Sequence, residues 1–213
     1  DAVVCLFEDR MGRVWAGVYR DGLYCFDHGK MTHIKKGEKG LEDENVWYMI
    51  EDSDGYFWIA GLNSGPQRWN DSKQCFEKSL QSMWLSKMCN ARKGYIYAGG
   101  FGYSPINTRL LKCGKMVLGN RKGTQAFSDK ELRELFYDSR GLVWVGGTRG
   151  VSVFDESADH IYYVDQDNGL CNNIVQGIIE DKNHDIWITT DKGLSKITVR
   201  RVANHYDFLI KNF

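Results

Sequence analysis

Short apolar runs separated by tight polar turns fill this chain, and one hairpin pattern recurs along its whole length. It is clearest where the polar turn of residues 51–55 (Glu-Asp-Ser-Asp-Gly) is followed at once by the apolar run of residues 56–61 (Tyr-Phe-Trp-Ile-Ala-Gly). An aspartate–glycine turn between two such runs predicts a β-hairpin, because aspartate bonds backbone amides two residues on and glycine accepts a positive φ. The runs are continuous rather than alternating, which indicates strands with both faces buried.

The hairpin recurs with a nearly constant period. Its register residues stand at spacings of 43, 39, 47 and 43, and they are Asp9, Asp52, Ala91, Asp138 and Asp181. Six residues after each of them comes an aromatic side chain, in the order Trp15, Trp58, Tyr97, Trp144 and Trp187. The fifth copy has His184 where the turn glycine is expected. A fixed period in this range indicates a repeat architecture, and five repeats leave no room for a second domain.

Each repeat carries four predicted strands, which in the second copy are residues 46–51, 56–61, 66–70 and 74–80. Four-stranded sheets stacked face to face around an axis form a β-propeller. We therefore predict an all-β propeller over residues 1–213, with four-stranded antiparallel blades at about 1–40, 41–80, 81–128, 129–170 and 171–213. The small residues after each tryptophan fit sheets that converge on an axis. An open solenoid is the rival, although its repeats are generally shorter or helical.

The charge balance argues against one class of partner. Lysine plus arginine and aspartate plus glutamate each number 28, so the formal net charge is zero. A nucleic-acid binder is not expected from this balance, because such proteins carry a basic surface. The 23 glycines and two prolines suit many short strands joined by tight turns.

The sequence contains no targeting signal and no cysteine motif that would indicate a function. No run of about eighteen apolar residues exists, so no membrane-spanning helix is predicted. No signal-peptide pattern is present and residues 2–7 already read as a strand, from which we expect an excised piece of a longer protein. The six cysteines show no CxxC pair and no metal-ligand spacing, and buried free thiols are expected rather than disulfides.

The recurring residues resemble the two-component regulator propeller repeat. The resemblance rests on the pattern x-Asp-x-x-Gly-x-x-Trp followed by Gly-Leu, and on Gly-Leu-x-x-Asn-x-Val between blades, as in residues 169–175. It covers all five repeats. In that family such repeats usually build two seven-bladed propellers, followed by a smaller β-domain, a membrane helix and kinase modules. They form the sensor regions of bacterial hybrid histidine kinases, often those that control polysaccharide use.

The resemblance therefore implies a periplasmic, ligand-sensing part of a larger, seven-bladed propeller. It implies contact with a membrane only through parts of the parent protein that are missing here. The chain has no phosphoacceptor-histidine helix, no ATP-binding glycine boxes and no receiver aspartate, so it is expected to bind rather than to catalyse. No cofactor is expected.

Comparison of the five repeats separates core positions from surface positions in the predicted first strands. Six, three and two residues before the register residue every copy is apolar, which predicts core. These residues are Val3, Val46, Leu85, Leu132 and Val175; Leu6, Met49, Met88, Leu135 and Ile178; Phe7, Ile50, Cys89, Phe136 and Ile179. Five and four residues before it, the side chains vary and are often polar, which predicts a surface at the axial channel or its mouth. The candidate ligand contacts there are Trp47, Tyr48, Lys87, Arg133, Glu134 and Gln176.

Two tryptophans have no counterpart in the other repeats. The repeat tryptophans are predicted to be core, as are Trp69 and Phe26, which each follow one of them by eleven residues. Trp47 and Trp84 stand outside this pattern. An amphipathic aromatic ring at a pocket mouth is what stacking on a sugar requires, although simple packing stays an alternative for each.

The loops between second and third strands should open on the same side as the blade connectors. Their side chains suit hydroxyl and carboxylate groups, and the candidates are Tyr19, Arg20, Asn63, Tyr103, Arg149, Asp191 and Lys192. The expected partner is thus an oligosaccharide or another small ligand, with a homodimer left open.

Two other functions stay open. A protein-interaction scaffold would show an extended apolar rim. A carbohydrate-active enzyme would need two carboxylates in the channel, such as Glu134 with Asp191 or Asp21. No metal site is predicted, because the Asp-x-Asp-Gly turn lacks the remaining ligands of a calcium loop and the five histidines form no zinc pair.

Overall fold

The computed structural model describes residues 2–78, 87–100, 103–109, 111–113, 120–121, 124–125, 132–158 and 160–213. These residues form five four-stranded sheets and one two-stranded hairpin, Asn120–Arg121 (β13) with Thr124–Gln125 (β14). The five four-stranded sheets are called the first to the fifth in chain order.

Every four-stranded sheet is an antiparallel meander in which consecutive strands pair. The first sheet is Val3–Glu8 (β1), Val14–Val18 (β2), Gly22–Asp27 (β3) and Lys30–Ile34 (β4). The second is Val46–Glu51 (β5), Phe57–Gly61 (β6), Gly65–Asn70 (β7) and Cys75–Phe76 (β8). The third is Lys87–Asn90 (β9), Tyr95–Gly99 (β10), Tyr103–Asn107 (β11) and Lys112–Cys113 (β12). The fourth is Glu134–Tyr137 (β15), Leu142–Gly146 (β16), Val151–Asp155 (β17) and His160–Val164 (β18). The fifth is Val175–Glu180 (β19), Ile186–Thr190 (β20), Gly193–Val202 (β21) and His205–Asn212 (β22).

The predicted fold class is confirmed, since the protein is an all-β propeller built from four-stranded antiparallel blades. Two single-turn 3-10 helices, Glu38–Gly40 and Gln166–Asn168, lie in the connectors that lead into the second and fifth sheets. The chain divides into two compact units, Asp1–Met116 and Val117–Phe213. No membrane-spanning helix is found in the part of the chain that the structure describes.

The register aspartates organise the first hairpin of their sheets. In the second sheet one carboxylate oxygen of Asp52 accepts the amides of Asp54 and Tyr56 at 3.0 and 2.9 Å, while Gly55 has a φ of 82°. The other oxygen accepts the indole N–H of Trp58 at 2.8 Å. The same aspartate–tryptophan bond joins Asp9 to Trp15 at 2.8 Å, Asp138 to Trp144 at 3.1 Å and Asp181 to Trp187 at 2.8 Å.

Within each unit the apolar faces of neighbouring sheets pack together. The first and second sheets share a core in which Trp15 stacks on Phe57 with ring centroids 4.7 Å apart. The second and third sheets meet around Trp58 and Met88, both fully buried. In the other unit the fourth and fifth sheets meet around Trp144, whose indole is contacted edge-on by Phe208.

Close approach between sheets depends on the small residue two positions after the tryptophan. A Cβ on Gly17 would lie 2.4 Å from the Val46 carbonyl oxygen of the second sheet, and one on Gly146 would lie 2.6 Å from Val175 Cγ1. Both contacts are far inside van der Waals distance, so only glycine fits there. In the fifth sheet the equivalent residue is the exposed Thr189.

Four of the predicted core positions are wrong. Val3, Leu6 and Phe26 of the first sheet and Ile179 of the fifth are exposed rather than buried. They lie on the two sheet faces that no neighbouring sheet covers in the described part of the chain, and a repeat comparison assigns every copy the environment of the inner ones. Trp187 is likewise half-buried, whereas Trp15, Trp58 and Trp144 are fully buried. Leu85 lies outside the described residues.

The five cysteines with described side chains are free thiols. Two of them, Cys5 and Cys25, belong to the first sheet, and burial raises the pKa of each thiol to about 11. Thiols with such a pKa stay protonated at neutral pH, which makes them poor nucleophiles.

Candidate functional site

β-Bulges near the beginning of the first strands determine where the variable side chains lie. The pairing with the second strand shifts between Val46 and Tyr48 and between Val175 and Gly177, which leaves Trp47 and Gln176 as the extra residues. The first sheet has the same shift around Val4. A bulge inserts one residue and re-aims side chains locally, which explains why two adjacent positions of the repeat both vary freely.

An exposed aromatic patch, formed by Tyr19, Arg20 and Trp47, lies at the bulge of the second sheet. The rings of Tyr19 and Trp47 meet edge to face with centroids 6.1 Å apart, and each side chain is more than one third exposed. The Arg20 guanidinium lies 5.0 Å from the centroid of the Tyr19 ring. The patch thus offers two aromatic surfaces beside a planar cluster of N–H donors.

The connector into the second sheet holds these loops in place. The side-chain oxygen of Asn45 accepts the backbone N–H of Arg20 at 3.1 Å, and Arg20 has a left-handed φ of 58°. Asp43, which is buried, accepts the backbone N–H of Asn45 at 3.0 Å and that of Asn63 at 2.6 Å. One connector therefore fixes loops from two sheets, which brings Asn63 into the same loop cluster. Sequence comparison missed the roles of Asp43 and Asn45, although Asn45 belongs to the recurring connector motif.

The variable position four residues before the register residue supplies a second pair of candidates, Tyr48 and Lys87. The Lys87 ammonium lies 4.9 Å from the centroid of the Tyr48 ring, which links the second and third sheets by a cation–π contact. Both side chains are half-buried. Tyr48 packs in part against the core between these sheets, so part of its role is structural.

In the second unit the candidates fall into separate local groups. The Gln176 amide donates a hydrogen bond to the carboxylate of Asp191, and both side chains are exposed. Glu134 is half-buried and accepts the backbone N–H of Leu135 at 3.1 Å. Arg133 precedes β15 and bonds the Gly146 carbonyl through its amide at 2.9 Å, with its side chain exposed. Arg149 and Lys192 are exposed loop residues.

A polar cluster that sequence comparison did not assemble lies next to the aromatic patch in the chain. The Tyr24 hydroxyl donates to the Asp21 carboxylate at 2.7 Å, and this bond raises the pKa of Tyr24. The His33 ring stacks on Tyr24 at 4.1 Å, and its Nε2 is 2.6 Å from the Asp21 carbonyl oxygen. Spacing alone gave no signal, because Asp21 and His33 come together only through the pairing of β3 with β4.

Of the remaining candidates, Trp84 lies outside the described residues, and Tyr103 is the first residue of β11. Among the residues that are described, no cluster of three His, Cys, Asp or Glu side chains is arranged to hold a metal ion.

Comparison with known proteins agrees with this architecture. Residues 40–63 and 169–192 match the sequence profile of the two component regulator propeller. No curated protein sequence gives a significant match.

Solved structures from one bacterium share the fold. The extracellular domain of the hybrid two component system BT3049 from B. thetaiotaomicron superposes with a TM-score of 0.77 at 20 % identity, over 98 % of this chain and 28 % of that one. The corresponding domain of BT4673 from the same organism gives 0.77 at 15 % identity, over 99 % of this chain and 31 % of that one. This chain therefore spans less than one third of the length of either solved domain.

A propeller of different function also matches. Virginiamycin B lyase from Staphylococcus aureus gives a TM-score of 0.69 at 16 % identity, over 98 % of this chain and 68 % of that one. At such identities these likenesses show the fold alone. The profile match covers two segments, each of which runs from a blade connector through the first hairpin of the next sheet. The chain is a β-propeller in which residues 40–63 and 169–192 match the two component regulator propeller repeat.

Proposed function

We propose that this chain is part of the extracytoplasmic, periplasmic sensor propeller of a hybrid two-component system, and that it binds an oligosaccharide without catalysing a reaction. The profile match supports the assignment to such a system, and two structural relatives are extracellular domains of hybrid two component systems. The kinase modules that receive the signal belong to other parts of the parent protein.

The observation that carries the ligand proposal is the aromatic patch. Burying Tyr19 and Trp47 would lower the free energy of the folded state, yet both rings are held at the surface by a bulge and by a loop with a left-handed arginine. Backbone conformations of this kind cost free energy and persist where the surrounding structure enforces them. Aromatic faces next to guanidinium donors match the apolar faces and hydroxyls of a sugar.

A thermal-shift and titration screen against oligosaccharides tests the proposal. A ligand that binds only the folded state stabilises it by about 2.7 kcal/mol at a hundredfold excess over Kd. We expect such a shift in the wild type, together with a change in tryptophan fluorescence, and at least a tenfold weaker affinity in Trp47→Ala.

The matched control is Tyr163→Ala, which removes another exposed aromatic side chain from the outer strand β18. It should leave both the affinity and the fluorescence change intact. The ligand proposal fails if no sugar shifts the midpoint of the folded wild type, or if Trp47→Ala binds as well as the control.

A further inference from the structure

A cavity of about 180 Å³ lies between the first and second sheets, beside the outer strand β4. Its inner wall is formed by Trp15, Ile34 and Trp69, which are all at most 3 % exposed. Both sheets belong to the same compact unit, so the cavity is a feature of an inner interface. Its volume equals that of about six water molecules in the liquid, which suits a small molecule rather than an oligosaccharide.

The cavity is open because a threonine stands where another sheet has a tyrosine. Strand pairing places Thr32 in the first sheet where Tyr162 lies in the fourth, two strands outward from the repeat tryptophan. Between the fourth and fifth sheets the Tyr162 ring occupies this space and contacts Phe208, with ring centroids 5.3 Å apart. The half-buried threonine is too small to make such a contact, so the space between the first and second sheets stays unfilled.

A buried arginine lines this space. Arg13 is 9 % exposed, and it donates from Nε to Asp9 at 2.6 Å and from Nη1 to Asp71 at 2.7 Å. The equivalent residue of the fourth sheet is the apolar Leu142, so the fold itself does not require a charge at this position. Burying a guanidinium costs desolvation free energy, which favours a role in binding over simple packing. The Nη2 N–H groups form no hydrogen bond within the described residues and are available to a ligand.

The remaining charges of the lining have a positive excess. Because Asp9 and Asp71 already neutralise Arg13, the charges left are Lys30, Lys39 and Asp27. Both lysines are exposed, and neither forms an ion pair in the described part of the chain. The Lys39 ammonium lies 5.9 Å from the centroid of the Trp69 ring, which places it beside the inner wall. One carboxylate on a ligand would balance these groups.

The lining also offers partners for hydroxyl groups. Thr32 forms no side-chain hydrogen bond within the described residues. The Gln74 Nε2 donates to the Asp71 carbonyl at 2.7 Å, which leaves the side-chain oxygen of Gln74 as an acceptor. Gln74 also has a left-handed φ of 51°, and Lys39 has one of 45°. Two non-glycine residues in this costly conformation thus line one small cavity.

We propose that this cavity binds a small organic acid with one carboxylate and several hydroxyl groups. Lys30 and Lys39 bind the carboxylate, and Asp27, Thr32 and Gln74 bind the hydroxyls. The proposal does not depend on the oligosaccharide function, because none of these residues belongs to the aromatic patch of Tyr19, Arg20 and Trp47.

Calorimetric titration with gluconate at constant ionic strength tests the proposal, and sorbitol serves as the neutral ligand with the same carbon chain. We expect a dissociation constant on the order of 100 µM for gluconate and about tenfold weaker binding of sorbitol. Lys30→Gln and Lys39→Gln should each weaken gluconate binding about tenfold, because each removes a charge-assisted hydrogen bond. Lys36→Gln is the matched control, since it removes an exposed lysine from the same connector outside the cavity, and its affinity should equal that of the wild type.

Filling the cavity provides an independent test. Thr32→Tyr introduces the side chain that fills the equivalent space in the fourth sheet, so it should abolish gluconate binding while circular dichroism shows a folded protein. Trp47→Ala should leave gluconate binding unchanged. The lysine variants alter exposed side chains and keep the test decisive if Thr32→Tyr does not fold.

Four outcomes would overturn the proposal. They are no binding of gluconate at concentrations up to about 10 mM, equal affinities for gluconate and sorbitol, lysine variants that bind like Lys36→Gln, and a folded Thr32→Tyr that binds like the wild type. A loss of gluconate binding in Trp47→Ala would assign the ligand to the aromatic patch instead and would equally overturn it.

Discussion

At the scale of single residues, the six-residue spacing from aspartate to tryptophan has a direct physical cause. One oxygen of the aspartate closes the turn and the other accepts the indole N–H, so the two residues form one hydrogen-bonded unit. The turn role of the aspartate is predictable from the Asp-x-Asp-Gly pattern, and it is confirmed. The bond to tryptophan is not predictable from turn chemistry. The third repeat is nevertheless consistent with it, because that repeat lacks both partners and has Ala91 and Tyr97 in their places.

A double-mutant cycle on Asp52 and Trp58 measures this unit. In Asp52→Asn the buried indole N–H faces either an amide N–H or the single side-chain oxygen, which the turn amides also need. We therefore expect the free energy of unfolding to fall by about 1–3 kcal/mol. Trp58→Phe removes the indole donor and part of the packing. In the double variant the loss should be smaller than the sum of the single losses, because no unpaired donor remains. Urea denaturation followed by circular dichroism gives the values, and strict additivity would contradict the coupling.

At the scale of elements, the bulges are what sequence comparison could not supply. Strand residues alternate between faces, so adjacent variable positions such as Trp47 and Tyr48 cannot both face one surface in a regular strand. The extra residue resolves this conflict, and it leaves Trp47 exposed while Tyr48 packs in part against the core. A bulge has no composition signal of its own here, because the extra residue is valine in the first sheet and glutamine in the fifth.

The glutamate that joins two sheets gives stability a predictable dependence on pH. Burial alone would raise the pKa of Glu180, but hydrogen bonds from the Ser139 side chain and amide outweigh it and hold the pKa below its ordinary value. A carboxyl with a lowered pKa stabilises the fold at pH values above its unfolded pKa and loses that contribution as the pH falls through the folded one. Glu180→Gln should therefore lower the free energy of unfolding by about 1–2 kcal/mol near pH 7. The difference from the wild type should begin to shrink as the pH falls to the unfolded pKa of about 4.3, and it should disappear once the pH is below the lowered folded pKa.

Glu8→Gln is the matched control for this pH series. It makes the same substitution at the same repeat position. In the described chain, however, no sheet precedes the first one, so Glu8 accepts no hydrogen bond from a turn of a preceding sheet. We expect it to change the free energy of unfolding by less than about 0.5 kcal/mol at any pH. Equal effects of the two substitutions would show that the contact between sheets does not contribute. Urea titrations from about pH 3 to pH 8 provide the comparison.

At the scale of the whole molecule, the hydrophobic pattern predicts which residues can face a neighbouring sheet but not whether a neighbour is there. Leu6 and Met49 are equivalent in sequence, yet one is 67 % exposed and the other 6 %. The fold class, the strand order and the inner cores therefore follow from the repeat, whereas the two uncovered faces do not. The candidate site was also only partly predictable. The sequence pattern singles out Trp47 and Tyr19, but Tyr24 and His33 come together only through strand pairing, which the pattern does not specify.

The ring of Phe213 stacks on Trp187 with ring centroids 5.5 Å apart, in the manner of Phe57 on Trp15. No neighbouring sheet covers this indole in the described part of the chain, so Phe213 supplies the aromatic contact from within its own sheet. Phe213→Ala should therefore shift the tryptophan emission to longer wavelength and lower the free energy of unfolding by about 1 kcal/mol, and an unchanged spectrum and stability would contradict this. An indole that is packed between sheets elsewhere is thus shielded here by a side chain of its own sheet.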